Sequence, residues 1–330
     1  MKYVPFHELG NSPNIIVDGA GNENTLITLS HWPKSGTPNE LKDDLSIQIV
    51  FKYLESPKFH VKADIVSNNH FDEDGLVGIY ALLNPELANK QKSLLTDIGS
   101  AGDFGTYKTR EAARIAFVLS AYADPDLSPL DPSLFEKEYP ETCGYLYNKM
   151  LELLPDIINE PDRFRKFWQY EEELLSASET SIWTGKIKIE EFSNLDLAVV
   201  TLPESMPERK VHRFTLERNA VCHPMALHNA TNCNRILLIQ GHTYELQYRY
   251  ESWVQYISRK IMPRVDLNPL AKELSEKENG NGEWKFDGAN LITPKLHLTG
   301  AEESKITPEE FILKVKSFLE TAKPAWNPYD

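Results

Sequence analysis

The chain has 330 residues, of which 41 % are hydrophobic and 25 % charged, with 35 Lys and Arg against 49 Asp and Glu. This composition excludes an intrinsically disordered, collagen-like or coiled-coil protein, and the length suffices for two domains. The net charge of −14 repels phosphate backbones and anionic lipid, so we expect no bulk binding to nucleic acid or to membrane surfaces.

The cysteines and the apolar runs indicate the cellular setting. The three cysteines form no C-x-x-C pair, which argues against a zinc ribbon or a disulfide framework and favours reduced thiols. The N-terminal segment MKYVPFHELGNSPN has no apolar run of signal-peptide length, and no stretch of the chain approaches 18 apolar residues. We therefore expect a soluble cytoplasmic protein without a membrane segment.

The first third of the chain predicts alternating strands and helices. The apolar runs in IIVDG and TLITLSHWP predict buried strands, because β-branched residues and leucines are bounded by turn formers. Thr37, Pro38 and Glu40 form a capping-box pattern that predicts a helix start, with the helix continuing to the residues before Pro57. A strand is predicted at 61–67, followed by helices from 76–83 and 109–122.

The alternation predicts an α/β domain over residues 1–125, with a largely parallel, three-layer sheet. Residues 126–180 change character: prolines are followed by amphipathic patterns that predict a helical insertion, with helices at 141–154 and 161–177. The remaining residues, 181–330, predict a mixed α/β portion. Its predicted strands are KIKIEEF, LDLAVVTL, VHRFTL, RILLIQ, TYELQYRYESWV, WKF and KLHL, and its helices lie near 267–277 and 308–322.

The strongest chemical signal is HFDEDG, at residues 70–75. It follows a predicted buried strand and precedes a helix, which is where open α/β sheets place ligand-binding residues. In an extended segment His70, Asp72 and Asp74 point to the same side. One imidazole with two carboxylates suits a divalent cation such as Mn²⁺, Mg²⁺, Fe²⁺ or Zn²⁺. The alternative is that Asp72 or Asp74 simply caps the helix, where acids favour the positive end of the helix dipole.

The run IVSNNHFDEDGLVGIYALL resembles the first motif of the DHH phosphoesterase superfamily. The resemblance implies a two-metal phosphoesterase, commonly manganese-dependent, that acts on phosphodiesters, pyrophosphate or nucleotides. It implies that His70, Asp72 and Asp74 are metal ligands, and that a further bridging aspartate after another strand is either Asp97 or Asp103. The resemblance is confined to this motif, since the chain has no Asp-His-His triplet and no Gly-Gly-His motif.

Other residues at strand ends are candidates for the same site. Asp18 and His31 end predicted strands, and in a parallel sheet they emerge at the same edge as His70. Asn69 immediately precedes the motif. We therefore assign Asp18, His31 and Asn69 to a pocket beside the metal ligands.

A second cluster lies between residues 223 and 254. His223 is a candidate pocket residue, and His228 or His242 is a candidate acid or substrate-binding group. Arg249 would clamp a phosphate through its planar guanidinium. The alternatives are that these histidines are hydrogen-bonded structural groups and that Arg249 pairs with glutamates across a half-buried strand.

The sequence thus predicts a metal-dependent hydrolase of a small phosphorylated substrate, with Mn²⁺ as the favoured ion. In it, the bound ion lowers the pKa of a water molecule to form the nucleophile. The alternative is a non-catalytic binding or structural protein that keeps the fold without the metal chemistry.

Overall fold

A computed structural model describes residues 1–210 and 219–330. The described chain divides into two compact units. The first comprises Met1–Leu175 and Gln255–Ser258, and the second comprises Ser176–Arg209, Asn219–Val254 and Arg259–Asp330. The predicted strand VHRFTL lies outside the described residues.

The strands are β1 (Lys2–Tyr3), β2 (Asn14–Val17), β3 (Thr25–Leu29), β4 (Ile65–Ser67), β5 (Lys188–Phe192), β6 (Leu197–Leu202), β7 (Arg209–Lys210), β8 (Asn219–Ala220), β9 (Arg235–Gln240), β10 (Thr243–Tyr248), β11 (Arg264–Val265), β12 (Glu283–Phe286), β13 (Lys295–Thr299) and β14 (Pro324–Trp326). The α-helices are α1 (Ser46–Glu55), α2 (Glu73–Leu83), α3 (Pro85–Lys90), α4 (Lys92–Asp103), α5 (Arg110–Ala123), α6 (Tyr139–Asn159), α7 (Arg165–Trp183), α8 (Pro224–Ala230), α9 (Asn268–Lys277) and α10 (Pro308–Thr321).

The sheet of the first unit confirms the predicted parallel α/β architecture. Its strand order is β1-β4-β2-β3, and every neighbouring pair is parallel. All four residues of β2 are buried, as expected of a parallel strand covered on both faces. Because the strands are parallel, β2, β3 and β4 end at the same edge of the sheet. The residues that follow them are therefore brought together.

The predicted helix start at Thr37 is wrong. Helix α1 begins only at Ser46. The Thr37 hydroxyl instead donates to the carbonyl oxygens of Thr28 and Ser30 and accepts from the Ser30 amide, so it orders the loop after β3. The residue that caps α1 lies far from this helix in the sequence, so a local sequence pattern cannot identify it.

The segment LLTDIGSAGDFG forms most of helix α4, where the family resemblance placed an aspartate after a strand. Leu95, Ile98 and Ala101 are fully buried at helical spacing, and α4 packs against α1, α2 and α5. The apolar period is therefore that of a helix.

The helices of the predicted insertion are longer than expected and group differently. Helix α6 and most of α7 belong to the first unit, whereas the sequence suggested a separate insertion at 126–180. Helix α6 continues through Pro155 to Asn159. Its inner face contacts α2 and α5, so it forms part of the core of the first unit.

The second unit has the predicted mixed sheet. Its strand order is β12-β13-β10-β9-β6-β5, in which β6 and β9 are parallel and the other neighbours are antiparallel. Helices α9 and α10 contribute buried Leu270, Phe311 and Val315 to the same core as Leu246 and Trp284. Across the described part of the chain, no helix is both long enough and apolar enough to cross a bilayer.

Candidate metal centre

Four aspartates and two histidines meet at the carboxyl edge of the parallel sheet in the first unit. Asp18 follows β2 and His31 follows β3, while the turn after β4 supplies His70, Asp72 and, in the first turn of α2, Asp74. Asp103 reaches the same place from the last turn of α4. This set is called the carboxylate cluster below.

The carboxylate cluster consists of two groups that share one residue. In the inner group, ligand atoms of Asp18, His31, Asp74 and Asp103 lie within 4.8 Å of one another. The outer group consists of Asp18, His70 and Asp72 at the same separation. Two ligands on opposite sides of an ion at about 2.1 Å would be roughly 4.2 Å apart, so both groups have the size of a metal site.

The inner group contains a histidine prepared for metal binding. The His31 Nδ1 atom lies 2.5 Å from the Asp44 carbonyl oxygen, and because a carbonyl oxygen only accepts, Nδ1 carries the proton. Burial lowers the pKa of His31, which favours the neutral ring with a lone pair on Nε2. That atom lies 3.4 Å from Asp18 Oδ1 and 3.2 Å from Asp103 Oδ2. A cation between these atoms would offset the repulsion between the Nε2 lone pair and the two carboxylate oxygens. A carbonyl oxygen that accepts from the other ring nitrogen is the usual arrangement for a metal-binding histidine.

Two buried carboxylate oxygens in the cluster are also available to a cation. Asp18 Oδ2 and Asp103 Oδ2 are buried and have no hydrogen-bond partner among the described residues. Within the same part of the chain, the ion-pair partners of Asp18, Asp72 and Asp103 are histidines rather than Lys or Arg. Four carboxylates this close together without a lysine or arginine are costly, and two divalent cations would match their formal charge. The donors present therefore fit a pair of divalent ions.

Asp72 is the N-cap of α2, as one of its two interpretations predicted, and it also belongs to the outer group of possible ligands. Its Oδ1 atom accepts from the Gly75 amide at 2.9 Å and caps α2. Its Oδ2 atom lies 2.7 Å from His70 Nε2, which is also 3.3 Å from Asp18 Oδ2. The side chains of His70 and Asp72 are 22 % and 16 % exposed, against 0 % for Asp18. The outer group is thus the solvent-accessible face of the cluster.

Asp74 caps a helix as well, but not its own. Its two carboxylate oxygens accept from the amides of Ser46 (2.6 Å) and Ile47 (3.0 Å), at the start of α1. The residue before α1, Leu45, offers no side-chain cap, so a carboxylate 28 residues further along the chain satisfies these amides. Ser46 Oγ also donates to Asp18 Oδ1 at 2.7 Å. A carboxylate has further lone pairs, so Asp74 can cap α1 and bind an ion at the same time.

Burial and, after it, the neighbouring charges shift the pKa values of the carboxylate cluster. Burial, followed by the charge of Asp18, raises the pKa of Asp72 to about 7 and that of Asp74 well above its usual value. Burial and the neighbouring Asp74 likewise raise the pKa of Asp103. Burial alone would lower the pKa of His70, but Asp72 and Asp18 raise it to about 10. Without added positive charge, the cluster therefore retains protons.

Asp18 has a left-handed backbone, with φ at +50°. This conformation is uncommon for a residue other than glycine, although Asp and Asn tolerate it best. It places the Asp18 carboxylate between the two groups while its amide donates to the Leu29 carbonyl oxygen. Strain of this kind is typical of functional sites.

Among the predicted bridging aspartates, Asp103 joins the carboxylate cluster and Asp97 does not. Both Asp97 oxygens are used elsewhere: they accept from the Lys108 and Thr109 amides at 2.7 and 2.8 Å, and from the Thr109 hydroxyl. The assignment of Asp97 as a metal ligand is therefore replaced by a structural role before α5. Asn69 lies at the site, with its Oδ1 atom 3.3 Å from His70 Nδ1.

The residues predicted from the second cluster belong to the second unit and form no part of the carboxylate cluster. Arg249 is buried, forms an ion pair with Glu251 and donates to the carbonyl oxygens of His228 and Thr231. These bonds occupy its guanidinium, so a phosphate clamp is replaced by a structural ion pair.

The three histidines of that region have contacts of their own in the second unit. His223 is fully buried and caps α8 by accepting from the Met225 amide. The His242 Nδ1 atom lies 3.1 Å from the Ser304 carbonyl oxygen. His228 lies in the last turn of α8. Across the described residues, none of the three belongs to a group of possible metal ligands, and the roles of His223 in a pocket and of His228 or His242 as an acid or substrate-binding group stay predictions.

Sequence reasoning missed the residues that support the ligands. Ser46 and the Asp44 carbonyl hold Asp18 and His31, as described above, and Tyr147 Oη accepts from Asn68 Nδ2 at 2.8 Å in the turn after β4. The Trp32 ring stacks on the His70 ring with centroids 4.9 Å apart. Ser46 and Tyr147 are far from the ligands in sequence and carry no motif, so no local signal could have identified them.

Two glycines of α4 let this helix approach the ligands on α2. A Cβ atom on Gly99 would lie 2.6 Å from Asp74 Oδ1, and one on Gly102 would lie 2.6 Å from Glu73 Cβ. The glycine-rich run GSAGDFG therefore serves close helix packing and brings Asp103 to the cluster.

Replacing Gly99 with alanine should destabilise the protein, although alanine favours an exposed helix by about 1 kcal/mol over glycine. Overpacking against Asp74 should cost about 1–3 kcal/mol of unfolding free energy. Chemical denaturation measures the change, and Ser93→Ala on the exposed face of α4 is the matched control. Equal stability of the two variants would contradict the close packing of α4 against Asp74.

The comparisons with known proteins identify a family whose function is unknown. Residues 1–330 match a family of unknown function (DUF6687), and the chain belongs to that family. No curated protein and no solved structure matches the chain. The function must therefore be argued from the carboxylate cluster.

Proposed function

We propose that this protein is a metal-dependent hydrolase of phosphoesterase type, with two divalent ions, preferably Mn²⁺, in the carboxylate cluster. The observation that carries the proposal is the position of the Asp18 carboxylate, which belongs to both ligand groups. A shared carboxylate holds two ions at the short separation that phosphoryl-transfer enzymes use. The resemblance of HFDEDG to the first DHH phosphoesterase motif supports the same proposal.

The residues of the two groups have different tasks in this proposal. Asp18, His31 and Asp103 are almost fully buried, so they would hold the inner ion and would keep bulk water away from it. His70 and Asp72 are partly exposed and face the approaching phosphate. When bound, divalent ions polarise a phosphoryl oxygen and lower the pKa of a bound water.

The substrate class follows from the same features. A pair of cations attracts a phosphodiester or pyrophosphate, whereas the net charge of −14 disfavours long nucleic acids. We therefore infer a small phosphorylated substrate. The three free cysteines, all buried, are in keeping with a cytoplasmic setting, which we include in the proposal.

The test is Mn²⁺-dependent hydrolysis of bis(p-nitrophenyl) phosphate, with metal content measured on the same samples. Asp72→Asn is the decisive variant, because asparagine caps a helix as well as aspartate does but removes one carboxylate of the outer group. We expect normal folding, weaker binding of the outer ion and turnover lowered by about 100-fold or more, since even changes to residues that only hydrogen-bond to a metal ligand cost about 10- to 100-fold.

Asp64→Asn is the matched control, because Asp64 is exposed in the segment before β4 and belongs to neither ligand group. Its turnover and metal content should equal those of the unmodified protein. If the unmodified protein binds no Mn²⁺, or if Asp72→Asn retains full turnover, the hydrolase proposal is wrong. The first of these results would favour a binding or structural protein that uses the acids only as helix caps.

A further inference from the structure

The two histidines of the carboxylate cluster are held in the same way. His31 Nε2 lies 3.4 Å from Asp18 Oδ1, and His70 Nε2 lies 3.3 Å from Asp18 Oδ2. On each ring the other nitrogen, Nδ1, faces an oxygen atom, which is the Asp44 carbonyl oxygen at His31 and the Asn69 side-chain oxygen at His70. The same ring nitrogen of each imidazole therefore faces the shared carboxylate.

The contact between Asn69 and His70 determines which ring nitrogen can bind an ion. Asn69 Oδ1 lies 3.3 Å from His70 Nδ1, and an amide oxygen only accepts hydrogen bonds. Nδ1 therefore carries a proton, which leaves the lone pair of a neutral imidazole on Nε2. The Nε2 atom lies 2.7 Å from Asp72 Oδ2, within the outer group. The contact thus directs the metal-binding nitrogen of His70 toward the other ligands.

Further contacts fix the plane and the backbone of His70. The Trp32 ring stacks on the His70 ring at an interplanar angle of 28°. The His70 amide donates to Asn68 Oδ1 at 3.2 Å, and Asn68 Nδ2 donates to Tyr147 Oη. Asn68 and Tyr147 are fully buried, so water does not compete for these bonds. Asn69 therefore acts on a ring whose plane and attachment are already set, and its own bond selects the nitrogen.

Gly19, directly after the shared ligand Asp18, makes room for the Asn69 side chain. A Cβ atom on Gly19 would lie 2.4 Å from Asn69 Oδ1 and 2.8 Å from Asn68 Oδ1. The backbone of Gly19 is not left-handed, so its conformation alone does not demand glycine. The close approach of the two side-chain amides demands it instead, and a methyl group at this position would displace the Asn69 oxygen.

We propose that Asn69 is the positioning residue of the outer metal site: its side-chain oxygen holds the proton of His70 on Nδ1, so that Nε2 binds the outer ion. The Asp44 carbonyl oxygen does the same for the inner ion, but it belongs to the backbone. The affinity of the outer site therefore depends on a side chain that can be replaced, whereas that of the inner site is set by the fold. The inference rests on the proposed function, because it takes the carboxylate cluster as a site for two divalent ions.

The test measures the two Mn²⁺ dissociation constants by equilibrium dialysis and metal analysis. Asn69→Ala should weaken binding of the outer ion by about 10- to 100-fold, which is the usual effect of removing a residue that hydrogen-bonds to a metal ligand, and should leave the inner ion unchanged. Asn69→Asp should bind the outer ion at least as tightly as the unmodified protein does, because a carboxylate accepts the same hydrogen bond. Gly19→Ala should resemble Asn69→Ala, because its methyl group displaces the Asn69 oxygen.

Nitrogen-15 NMR of the Zn²⁺-loaded protein identifies the protonated nitrogen directly, since Zn²⁺ has a filled d shell and is diamagnetic. We expect a protonated Nδ1 at His70 in the unmodified protein and in Asn69→Asp. In Asn69→Ala this proton should exchange faster with solvent, because its acceptor is gone. A protonated Nε2 at His70 in the unmodified protein would overturn the proposal.

The control is Asn89→Ala, which changes an exposed asparagine on α3 and should alter neither dissociation constant. Unchanged affinity for the outer ion in Asn69→Ala would overturn the positioning role. Equal weakening of the outer ion in Asn69→Ala and Asn69→Asp would overturn it as well, because it would show a merely structural effect. If Asn69→Ala does not fold, unchanged outer affinity in Gly19→Ala decides against the proposal. Failure of the unmodified protein to bind two Mn²⁺ ions would instead overturn the proposed function on which this role depends.

Discussion

Asp18→Asn should lose the outer ion and bind the inner ion weakly, so that Mn²⁺ content falls from two ions per chain to one or fewer. The reason is that an amide offers one neutral oxygen where the carboxylate offers two charged ones, so it cannot serve both ligand groups. Outer-shell changes at metal sites already cost about 10- to 100-fold in affinity. Loss of the shared ligand should exceed that range, and hydrolysis should become undetectable.

Asp18→Asn tests the role of the carboxylate as a ligand without changing the backbone strain at residue 18. Asp18 adopts φ of +50°, and asparagine tolerates the left-handed region as well as aspartate does, so the turn after β2 should be preserved. Asp196→Asn is a matched control, because Asp196 also has φ of +50° but lies in the second unit. Metal content and circular dichroism are measured on both variants. Two ions in Asp18→Asn, or an equal loss in Asp196→Asn, would contradict the shared-ligand arrangement.

Removing the metal with a chelator should lower the thermal stability of the protein substantially. Four closely spaced carboxylates, most of them buried, then face one another without cations, and protons neutralise them only in part. An ion that binds the folded state alone stabilises it by about 2.7 kcal/mol when its concentration is 100 times its dissociation constant. Two such sites would therefore contribute roughly 5 kcal/mol to the free energy of unfolding.

The measurement is a melting curve with EDTA, then with an excess of Mn²⁺ restored. We expect the melting temperature to fall with the chelator and to return with the ion, and we expect much smaller changes in Asp18→Asn. Mg²⁺ and Ca²⁺ at the same concentration test the preference for a site with two imidazoles, which suits Mn²⁺ better. A melting temperature that does not respond to EDTA would show that the cluster is stable without ions.

The part of the site that the sequence predicted depends on one topological rule. Asp18, His31 and the residues around His70 could be grouped because each follows an apolar strand, and parallel strands end at one edge. Two roles could be assigned to Asp72, because a helix N-cap and a metal ligand both suit a carboxylate at this position. These predictions needed only strand direction and side-chain alternation.

What could not be predicted depends on packing between distant segments. The start of α1 was placed at Thr37 because the capping pattern is local, whereas the true cap is Asp74 on another helix. Asp97 and Asp103 are six residues apart on one helix, and only the close packing allowed by Gly99 and Gly102 decides which one reaches the cluster. The sequence pattern around Arg249 is compatible with a phosphate-binding residue. Its buried ion pair with Glu251 depends on the folded structure, so the pattern alone could not reveal it.

The double use of Asp74 has an evolutionary consequence. Because its carboxylate holds the first turn of α1, a descendant that had lost all catalysis would still be selected to keep this acid for the sake of folding. Asp103, whose Oδ2 atom has no hydrogen-bond partner among the described residues, is under no such constraint and would drift freely. If the proposed function is right, variation at Asp103 rather than at Asp74 would therefore mark members of the family that lack the proposed activity.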